Sequence, residues 1–241
     1  MAASRSASPS LPALRAIPFL EDGSPADPRP VLTEDQRHAL EQIGVKVRLP
    51  PRLLVYQEDA RADWVFAVMD GAVKSYRDLP SGKRSVNAFL FRQDLFGLAE
   101  RGKYVNCVKT ITRTTLYRFP FKPFTDLLAR DPGLQFQFLI KVTHELRESQ
   151  RRAIAIARRD APGRLAMFLM FMEKRAPAPA RGRTIELPMS RSDIAGFLGL
   201  SLEAVIRASA DLERRHMVAF EDRHLVRVLD PERLAKLAGA V

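Results

Sequence analysis

The apolar residues first become periodic near residue 33, where they predict a short helix. Thr33 can cap this helix with its side-chain oxygen, and Leu40 and Ile43 fall on one face of it. The preceding residues 1–30 are rich in Ser, Ala and Pro and have no sustained apolar period. We therefore expect residues 1–30 to form a loosely ordered leader.

From about residue 45 to residue 119 the apolar residues occur in short or alternating runs. The main runs are residues 53–56, 64–69, 73–76, 86–91 and 115–119. Asp70-Gly71 and Ser81-Gly82 between such runs are typical of turns. Many short strands at this spacing predict a small antiparallel β-roll or barrel, with Trp64 and the Phe residues in its core.

A long helical pattern follows, beginning at Asp131-Pro132 and ending near Arg159. One stripe of apolar or small residues recurs in it at intervals of three and four, as in the seam of a coiled coil. The other faces are rich in Arg, so the stripe is narrow and predicts pairing with a second copy of the chain. The predicted dimer interface consists of Leu139, Val142, Leu146, Ser149, Ala153 and Ile156.

Ala161-Pro162-Gly163 interrupts the helical pattern and predicts a hinge. An apolar helix is expected from Arg164 to about Lys174. The Pro-rich and Arg-rich residues 176–183 that come next are expected to form a loop.

Residues 190–215 have the pattern of two helices joined by a tight turn. Ser190 and Asp193 are spaced as a capping box for the first helix. Gly199 permits a left-handed turn, and Ser201 can cap a second helix of residues 202–215. A small core between the helices is expected from Ile194, Ala195, Leu198, Leu200, Val205 and Leu212.

One face of this second helix carries groups that can read DNA bases. Glu203, Ile206, Arg207 and Ala210 fall at i, i+3, i+4 and i+7, so they share a face. Arg can donate to both acceptors of guanine, and Glu can accept from the amino group of cytosine. The spacing alone leaves open a second interpretation, in which Glu203 and Arg207 are an ordinary solvated pair.

The chain then has the pattern of a wing and a final helix. Residues 217–220 and 225–228 are apolar runs that predict two strands. Asp230-Pro231 predicts the start of a last helix, which contains Leu234 and Leu237.

Two segments of this chain resemble the CRP/FNR superfamily of bacterial regulators. Residues 187–218, LPMSRSDIAGFLGLSLEAVIRASADLERRHMV, are similar to its DNA-binding signature, and residues 53–84, LLVYQEDARADWVFAVMDGAVKSYRDLPSGKR, resemble its β-roll. The resemblance covers roughly residues 33–239. It implies an α+β fold with a cyclic-nucleotide-binding-like β-roll in residues 31–130, a dimerisation helix in residues 131–160 and a winged helix-turn-helix in residues 161–241.

The resemblance also implies a function. Members similar to FNR and FixK bind palindromes of TTGA-like half-sites through a Glu-x-x-Ser-Arg pattern, and they recruit or block RNA polymerase. Glu203 and Arg207 match this pattern, but Ile206 replaces the Ser. An aliphatic side chain cannot hydrogen-bond and would prefer a thymine methyl. The sequence therefore leaves open which outer base of the half-site is recognised. The expected DNA-binding residues are Ser190, Ser201, Leu202, Glu203, Ile206, Arg207 and Arg214.

The charge of the chain favours a polyanionic partner, since its formal net charge is +11. The excess is uneven. Residues 74–130 carry twelve basic and four acidic side chains and residues 147–175 carry eight and three, whereas residues 176–241 carry ten and nine. The basic surface therefore belongs mainly to the β-roll and the connecting helix, where it is either simply solvated or binds a partner.

The sequence has few residues that would indicate binding of a small effector or a cofactor. The Glu and Arg of the family's cyclic-nucleotide cassette are not recognisable in residues 93–106, and the single Cys107 excludes a cluster held by four cysteines. We expect no cofactor. A small anionic effector near Phe96, Gly97, Lys103 and Tyr104 and effector-independent DNA binding are equally compatible with the sequence.

Other chemistries have weaker signals. His38 or His144 could bind haem, and Cys107 could be an oxidation switch, but helix-face histidines and a buried thiol explain them as well. No catalytic motif is recognisable, so an enzyme is not expected. A signalling module that controls a partner protein is the alternative function. No secretory signal or membrane-length apolar run is present, so we expect a cytoplasmic protein.

Overall fold

Residues 32–175 and 184–239, which a computed structural model describes, form a mixed α and β structure. The helices are α1 (Glu34–Ile43), α2 (Phe121–Arg130), α3 (Pro132–Arg158), α4 (Ala161–Arg175), α5 (Arg191–Leu198), α6 (Leu202–Arg214) and α7 (Pro231–Ala238). The strands are β1 (Val45–Leu49), β2 (Leu54–Tyr56), β3 (Trp64–Asp70), β4 (Val73–Asp78), β5 (Arg84–Leu90), β6 (Leu95–Phe96), β7 (Cys107–Thr110), β8 (Thr114–Pro120), β9 (Thr184–Glu186), β10 (Val218–Phe220) and β11 (Leu225–Val228). The leader of residues 1–30 and the predicted loop of residues 176–183 lie outside the described residues.

Strands β1 to β8 form the predicted β-roll. Two four-stranded antiparallel sheets, in the orders β1-β8-β3-β6 and β2-β7-β4-β5, make up the roll. Val68, Val73, Val108 and Leu116 are completely buried in one of its apolar clusters. The five predicted runs correspond to β2, β3, β4, β5 and β8. The predicted runs did not delimit β1, β6 and β7, which lie within or beside the same region of short strands, and the two residues of β6 are too few for a clear apolar period.

The turn between β3 and β4 requires the predicted glycine. Gly71 has a φ of +85°. A Cβ atom at this position would lie 2.4 Å from the carbonyl oxygen of Arg113. Any other residue would therefore be strained and would also clash with the backbone.

The helix starts follow the local signals. Thr33 and Gln36 form a capping box at α1, and Asp131 accepts a hydrogen bond of 2.8 Å from the Leu134 amide at the start of α3. Helix α2 was not predicted. It follows β8 directly and buries Phe124 between Phe119 and Phe138, with ring centroids 5.8 and 5.2 Å away. Its position depends on these aromatic contacts, which the local sequence pattern does not show.

The predicted hinge at Ala161-Pro162-Gly163 is wrong. These residues form the first turn of α4, and the break lies at Arg159 and Asp160. The Asp160 carboxylate caps α4 by accepting a hydrogen bond of 2.9 Å from the Gly163 amide. Proline is tolerated in a first turn because its missing N–H would have no partner there.

The outer face of sheet β2-β7-β4-β5 packs against the C-terminal part of the chain. Tyr76, Val86 and Phe89 belong to the same apolar cluster as the buried residues of α4, α5 and α6. The Phe89 ring lies 5.1 Å from that of Phe197 in α5. Gly196 permits this approach, because a Cβ there would lie 2.8 Å from the Arg84 carbonyl oxygen. The β-roll and the C-terminal region are thus packed together rather than merely connected.

Ionic contacts at two places reinforce this packing. Lys74 of β4 pairs with Asp193 of α5. Asp94, between β5 and β6, pairs with Arg175 of α4 and lies 3.6 Å from the ammonium group of Lys141 in α3. Its carboxylate also accepts a hydrogen bond of 2.9 Å from the Phe91 amide. Asp94 therefore joins the β-roll to both the long helix and the helix that follows it.

We expect Asp94→Asn to lower the free energy of unfolding by about 3 kcal/mol, because it removes the charge of a buried carboxylate that pairs with Arg175 and lies 3.6 Å from the Lys141 ammonium group. Asp78→Asn is the matched control. Asp78 forms an exposed bidentate pair with Arg84, and its loss should cost less than about 1 kcal/mol. Urea denaturation of both variants provides the measurement. Equal small losses would contradict a structural role for the buried cluster.

Candidate nucleic-acid interface

Helices α5 and α6 form the predicted helix-turn-helix through local capping. The Ser190 hydroxyl accepts a hydrogen bond of 3.1 Å from the Asp193 amide, and the Asp193 carboxylate accepts one from the Ser190 amide in return. Gly199 ends α5 in a left-handed conformation with a φ of 63°. The Ser201 hydroxyl accepts a hydrogen bond of 3.1 Å from the Ala204 amide and so caps α6.

The core between the two helices matches the prediction closely. Ile194, Leu198, Val205 and Leu212 are completely buried, and Ala195 is nearly so. Leu200 is only partly buried beside this cluster. Apolar contacts therefore cover one face of α6 and fix its direction.

The opposite face of α6 points into solvent. Glu203, Ile206, Arg207 and Ala210 are all exposed, as is Leu202 at the start of the helix. These side chains share one face, as the spacing predicted. An α-helix fits the major groove of B-DNA, and the exposed polar and apolar side chains of this face could contact base edges there.

The electrostatics of this face suit base reading. The backbone amide of Glu203 and the Ser201 hydroxyl, with a smaller contribution from Arg207, lower the pKa of the Glu203 carboxyl. Glu203 is therefore ionised at neutral pH and can only accept hydrogen bonds. No carboxylate among the described residues forms an ion pair with Arg207, so its guanidinium is available to a ligand.

Polar groups lie at both ends of this face. Ser190 and Ser201 are at the N-termini of α5 and α6, where backbone amides favour an anion. Arg214, in the last turn of α6, is exposed and lies 3.0 Å from the Asp211 carboxylate.

Arg191 was not predicted as a site residue. It is the first residue of α5, and its guanidinium stacks 4.3 Å from the centre of the Phe220 ring in the wing. Its Nη1 atom is buried and has no hydrogen-bond partner among the described residues. Burial lowers the pKa of Arg191. Its place directly after the Ser190 cap is the sequence signal that could have indicated it.

Arg164 was also not predicted, and it supports the turn. Its guanidinium donates to the carbonyl oxygens of Leu198, at 3.2 Å, and of Arg159, at 2.9 Å. One side chain thus connects the end of α3 to the turn between α5 and α6. The contact joins residues 34 positions apart, so no local pattern reveals it.

The wing has three strands rather than the predicted two. Strand β9 adds to the predicted pair in the order β10-β11-β9. The contact of Arg191 with Phe220 places this small sheet beside the start of α5.

The predicted dimer stripe is largely exposed on α3. Leu139, Val142 and Leu146 are 60, 43 and 57% exposed. Ser149 and Ala153 are exposed as well. Ile156 departs from the stripe, since it is half-buried and its Cγ2 lies 3.7 Å from where a Cβ on Gly199 would be. The nearby Ile154 is instead 57% exposed, because the end of α3 turns its Ile156 side toward the helix-turn-helix.

The four predicted effector residues lie in two environments. Phe96 and Tyr104 are buried inside the β-roll, where Phe96 stacks on Phe66 and Tyr104 stacks on Tyr56 with ring centroids 3.7 Å apart. The Tyr104 hydroxyl donates to the Trp64 carbonyl oxygen at 2.8 Å. Burial raises the pKa of Tyr104.

Gly97 and Lys103 complete this set. A Cβ on Gly97 would lie 2.9 Å from the Phe66 ring, so this part of the roll is closely packed. Lys103 lies on the surface, beside an open depression of about 320 Å³. Three basic residues (Arg77, Arg101 and Lys103) and three acidic residues (Glu58, Asp59 and Glu100) line this depression.

The residues considered for other chemistry have ordinary surroundings. Cys107 is half-buried, and its sulfur accepts a hydrogen bond of 3.3 Å from the Glu58 amide. The His38 side chain is exposed, and that of His144 lies outside the described part of the chain. No group of three or more His, Cys, Asp and Glu side chains among the described residues could hold a metal ion.

No helix in the described ranges is both long enough and apolar enough to cross a membrane.

Comparison with known proteins agrees with the fold. Residues 163–237 match the Crp-like helix-turn-helix domain, and residues 46–131 match the cyclic nucleotide-binding domain. The transcriptional activatory protein AadR of Rhodopseudomonas palustris is 31% identical over 95% of this chain and 92% of its own length. The nitrogen fixation regulation protein FixK of Bradyrhizobium diazoefficiens is 29% identical over 83% of this chain and 84% of its own.

A solved structure extends the likeness to three dimensions. The structure of FixK2 from Bradyrhizobium japonicum superimposes with a TM-score of 0.74 at 28% identity, over 81% of this chain and 97% of that one. By name, AadR is a transcriptional activatory protein and FixK is a nitrogen fixation regulation protein. With its β-roll, long helix and winged helix-turn-helix, this chain is a member of the CRP/FNR family of DNA-binding transcription regulators.

Proposed function

We propose that this protein regulates transcription as a homodimer that binds palindromic DNA with TTGA-like half-sites. One observation carries the proposal: an exposed apolar stripe on α3 and an exposed reading face on α6 occur in the same chain. Two-fold pairing along α3 would present two copies of α6, as a palindrome with half-sites about one helical turn apart requires.

The stripe on α3 supports pairing with a second copy. Leu139, Val142 and Leu146 protrude into solvent, and burying the exposed half of each side chain in a dimer would contribute about 1 kcal/mol per residue. Ser149 and Ala153 continue the stripe with small side chains, which allow two helices to approach closely. At 27 residues, α3 is about 40 Å long, which is enough for several layers of such contacts.

The reading face supports recognition of a G·C pair. Arg207 can donate to the two acceptors of guanine, and the ionised Glu203 can accept from a cytosine amino group. By the resemblance to FNR-like and FixK-like members, the Glu203 and Arg207 side chains would read the central GA of the half-site. Ser190, Ser201, Arg191 and Arg214, at the edges of the face, would position the helix through phosphate contacts.

The β-roll has few features that favour the binding of an anionic effector. Phe96 and Tyr104 pack against aromatic neighbours, and the carboxylates of the nearby surface depression oppose an anion as strongly as its cations attract one. We therefore infer that the dimer binds DNA without a small effector. Once bound, it would recruit or block RNA polymerase, and the named activity of AadR favours activation.

The first prediction concerns base reading. Arg207→Ala should weaken binding to the specific palindrome by about 1–3 kcal/mol, because a bidentate contact to guanine is lost. Binding to random duplex should change much less. Arg101→Ala, on the β-roll surface, removes the same charge and is the matched control. Titration of both variants on the two duplexes is the measurement, and an equal loss on both would argue against base reading.

The second prediction concerns pairing. Leu146→Glu should convert the dimer to monomers at micromolar concentration, because it places two like charges in an apolar seam. Analytical ultracentrifugation measures the mass, and affinity for the full palindrome should fall with it. Leu79→Glu, at a leucine that is 44% exposed in the turn between β4 and β5, should remain dimeric. A dimeric Leu146→Glu variant would reject α3 as the interface.

A further inference from the structure

The exposed face of α6 consists of two rows of side chains. Successive residues of an α-helix are about 100° apart, so residues spaced by four follow one another along nearly the same line. The first row is apolar and contains Leu202, Ile206 and Ala210. The second row is polar and contains Glu203, Arg207 and Arg214.

The apolar row is not part of the protein core. Leu202 is 40% and Ile206 is 55% exposed, whereas Val205, Ala208 and Leu212 on the other side of α6 are buried. A single exposed aliphatic residue is common and needs no explanation. Here two exposed aliphatic residues follow one another directly beside the charged pair, on the exposed face of α6. Such an arrangement indicates an apolar group on the ligand.

We propose that Ile206 is a specificity-determining residue that recognises the 5-methyl group of a thymine next to the guanine bound by Arg207. The inference rests on the proposed function, because it requires α6 in the major groove. Among base edges in that groove, the thymine methyl is the apolar group. Ile206 has no donor or acceptor, so van der Waals contact and dehydration are its means of discrimination.

The geometry of the face limits which base pair is read. Ile206 and Arg207 are adjacent and belong to the same turn, so they reach neighbouring positions in the groove. Ala210 continues the apolar row further along the helix, and its small side chain lets the helix approach the bases. Leu202 extends the apolar row toward the N-terminus of α6, where a second thymine methyl would meet it.

The experiment begins by selecting the preferred duplex from a random library with the full-length protein. Each thymine of the selected half-site is then replaced by deoxyuridine, which removes the methyl group and leaves the hydrogen-bonding edge intact. At the thymine beside the guanine, we expect this change in both half-sites to weaken wild-type binding about three- to tenfold.

Two variants identify the residue responsible. Ile206→Ser should bind the thymine and deoxyuridine duplexes equally well, while its dependence on the neighbouring G·C pair persists. Leu79→Ser, at a leucine of the β-roll that is 44% exposed, should retain the full preference for thymine.

The outcomes separate this inference from the proposed function. Wild-type protein that is indifferent to deoxyuridine beside the guanine would overturn the inference, as would an unchanged preference for thymine in the Ile206→Ser variant. In both cases a selected palindrome and the effect of Arg207→Ala would still support the regulator. If the library yields no preferred sequence, the proposed function fails and this inference fails with it.

Discussion

Helix α5 is packed on both sides, and this packing leaves the outer face of the reading helix α6 exposed to solvent. Ile194 and Leu198 pack toward α6, while Gly196 and Phe197 contact β5 of the β-roll. Since α5 fills the space between the roll and α6, the roll covers the supporting helix and leaves the reading helix free. The same apolar cluster that stabilises the C-terminal region therefore also sets which face of it meets solvent.

Polar contacts orient the β-roll, the long helix and the helix-turn-helix relative to one another. Asp94 joins the β-roll to α3 and α4, and Arg164 joins the end of α3 to the turn before α6. Arg152 of α3 adds a cation–π contact, with its guanidinium 4.6 Å from the centre of the Phe197 ring. Hydrogen bonds and ion pairs require particular geometries, whereas apolar burial does not. The angle between α3 and α6 is therefore fixed by a few side chains, and in the proposed dimer this angle would set the separation of the two reading helices.

The net charge of the chain favours binding to any nucleic acid, whereas discrimination between DNA sequences has another source. The net charge of +11 attracts any nucleic acid and makes the attraction sensitive to salt. Yet the C-terminal residues 176–241 are almost balanced, with ten basic and nine acidic side chains. Discrimination between sequences depends instead on a few groups on α6, where Glu203 and Arg207 can hydrogen-bond and Ile206 cannot.

The sequence by itself determined the elements whose signals are local. The capping residues Thr33, Asp131, Ser190 and Ser201 start the helices that were predicted from them, and the spacing of Glu203, Ile206 and Arg207 put these side chains on one exposed face. Capping and helical periodicity involve residues within four positions of one another, so they can be read from the chain directly.

Only the tertiary structure decided the features that depend on distant contacts. Helix α2 and the third wing strand β9 exist because of neighbours far away in sequence, and Ile156 left the predicted stripe because Gly199 lies beside it. The pairing of Lys74 with Asp193 joins residues 119 positions apart. Such contacts depend on where the folded chain brings two surfaces together, and no pattern within a single segment contains that information.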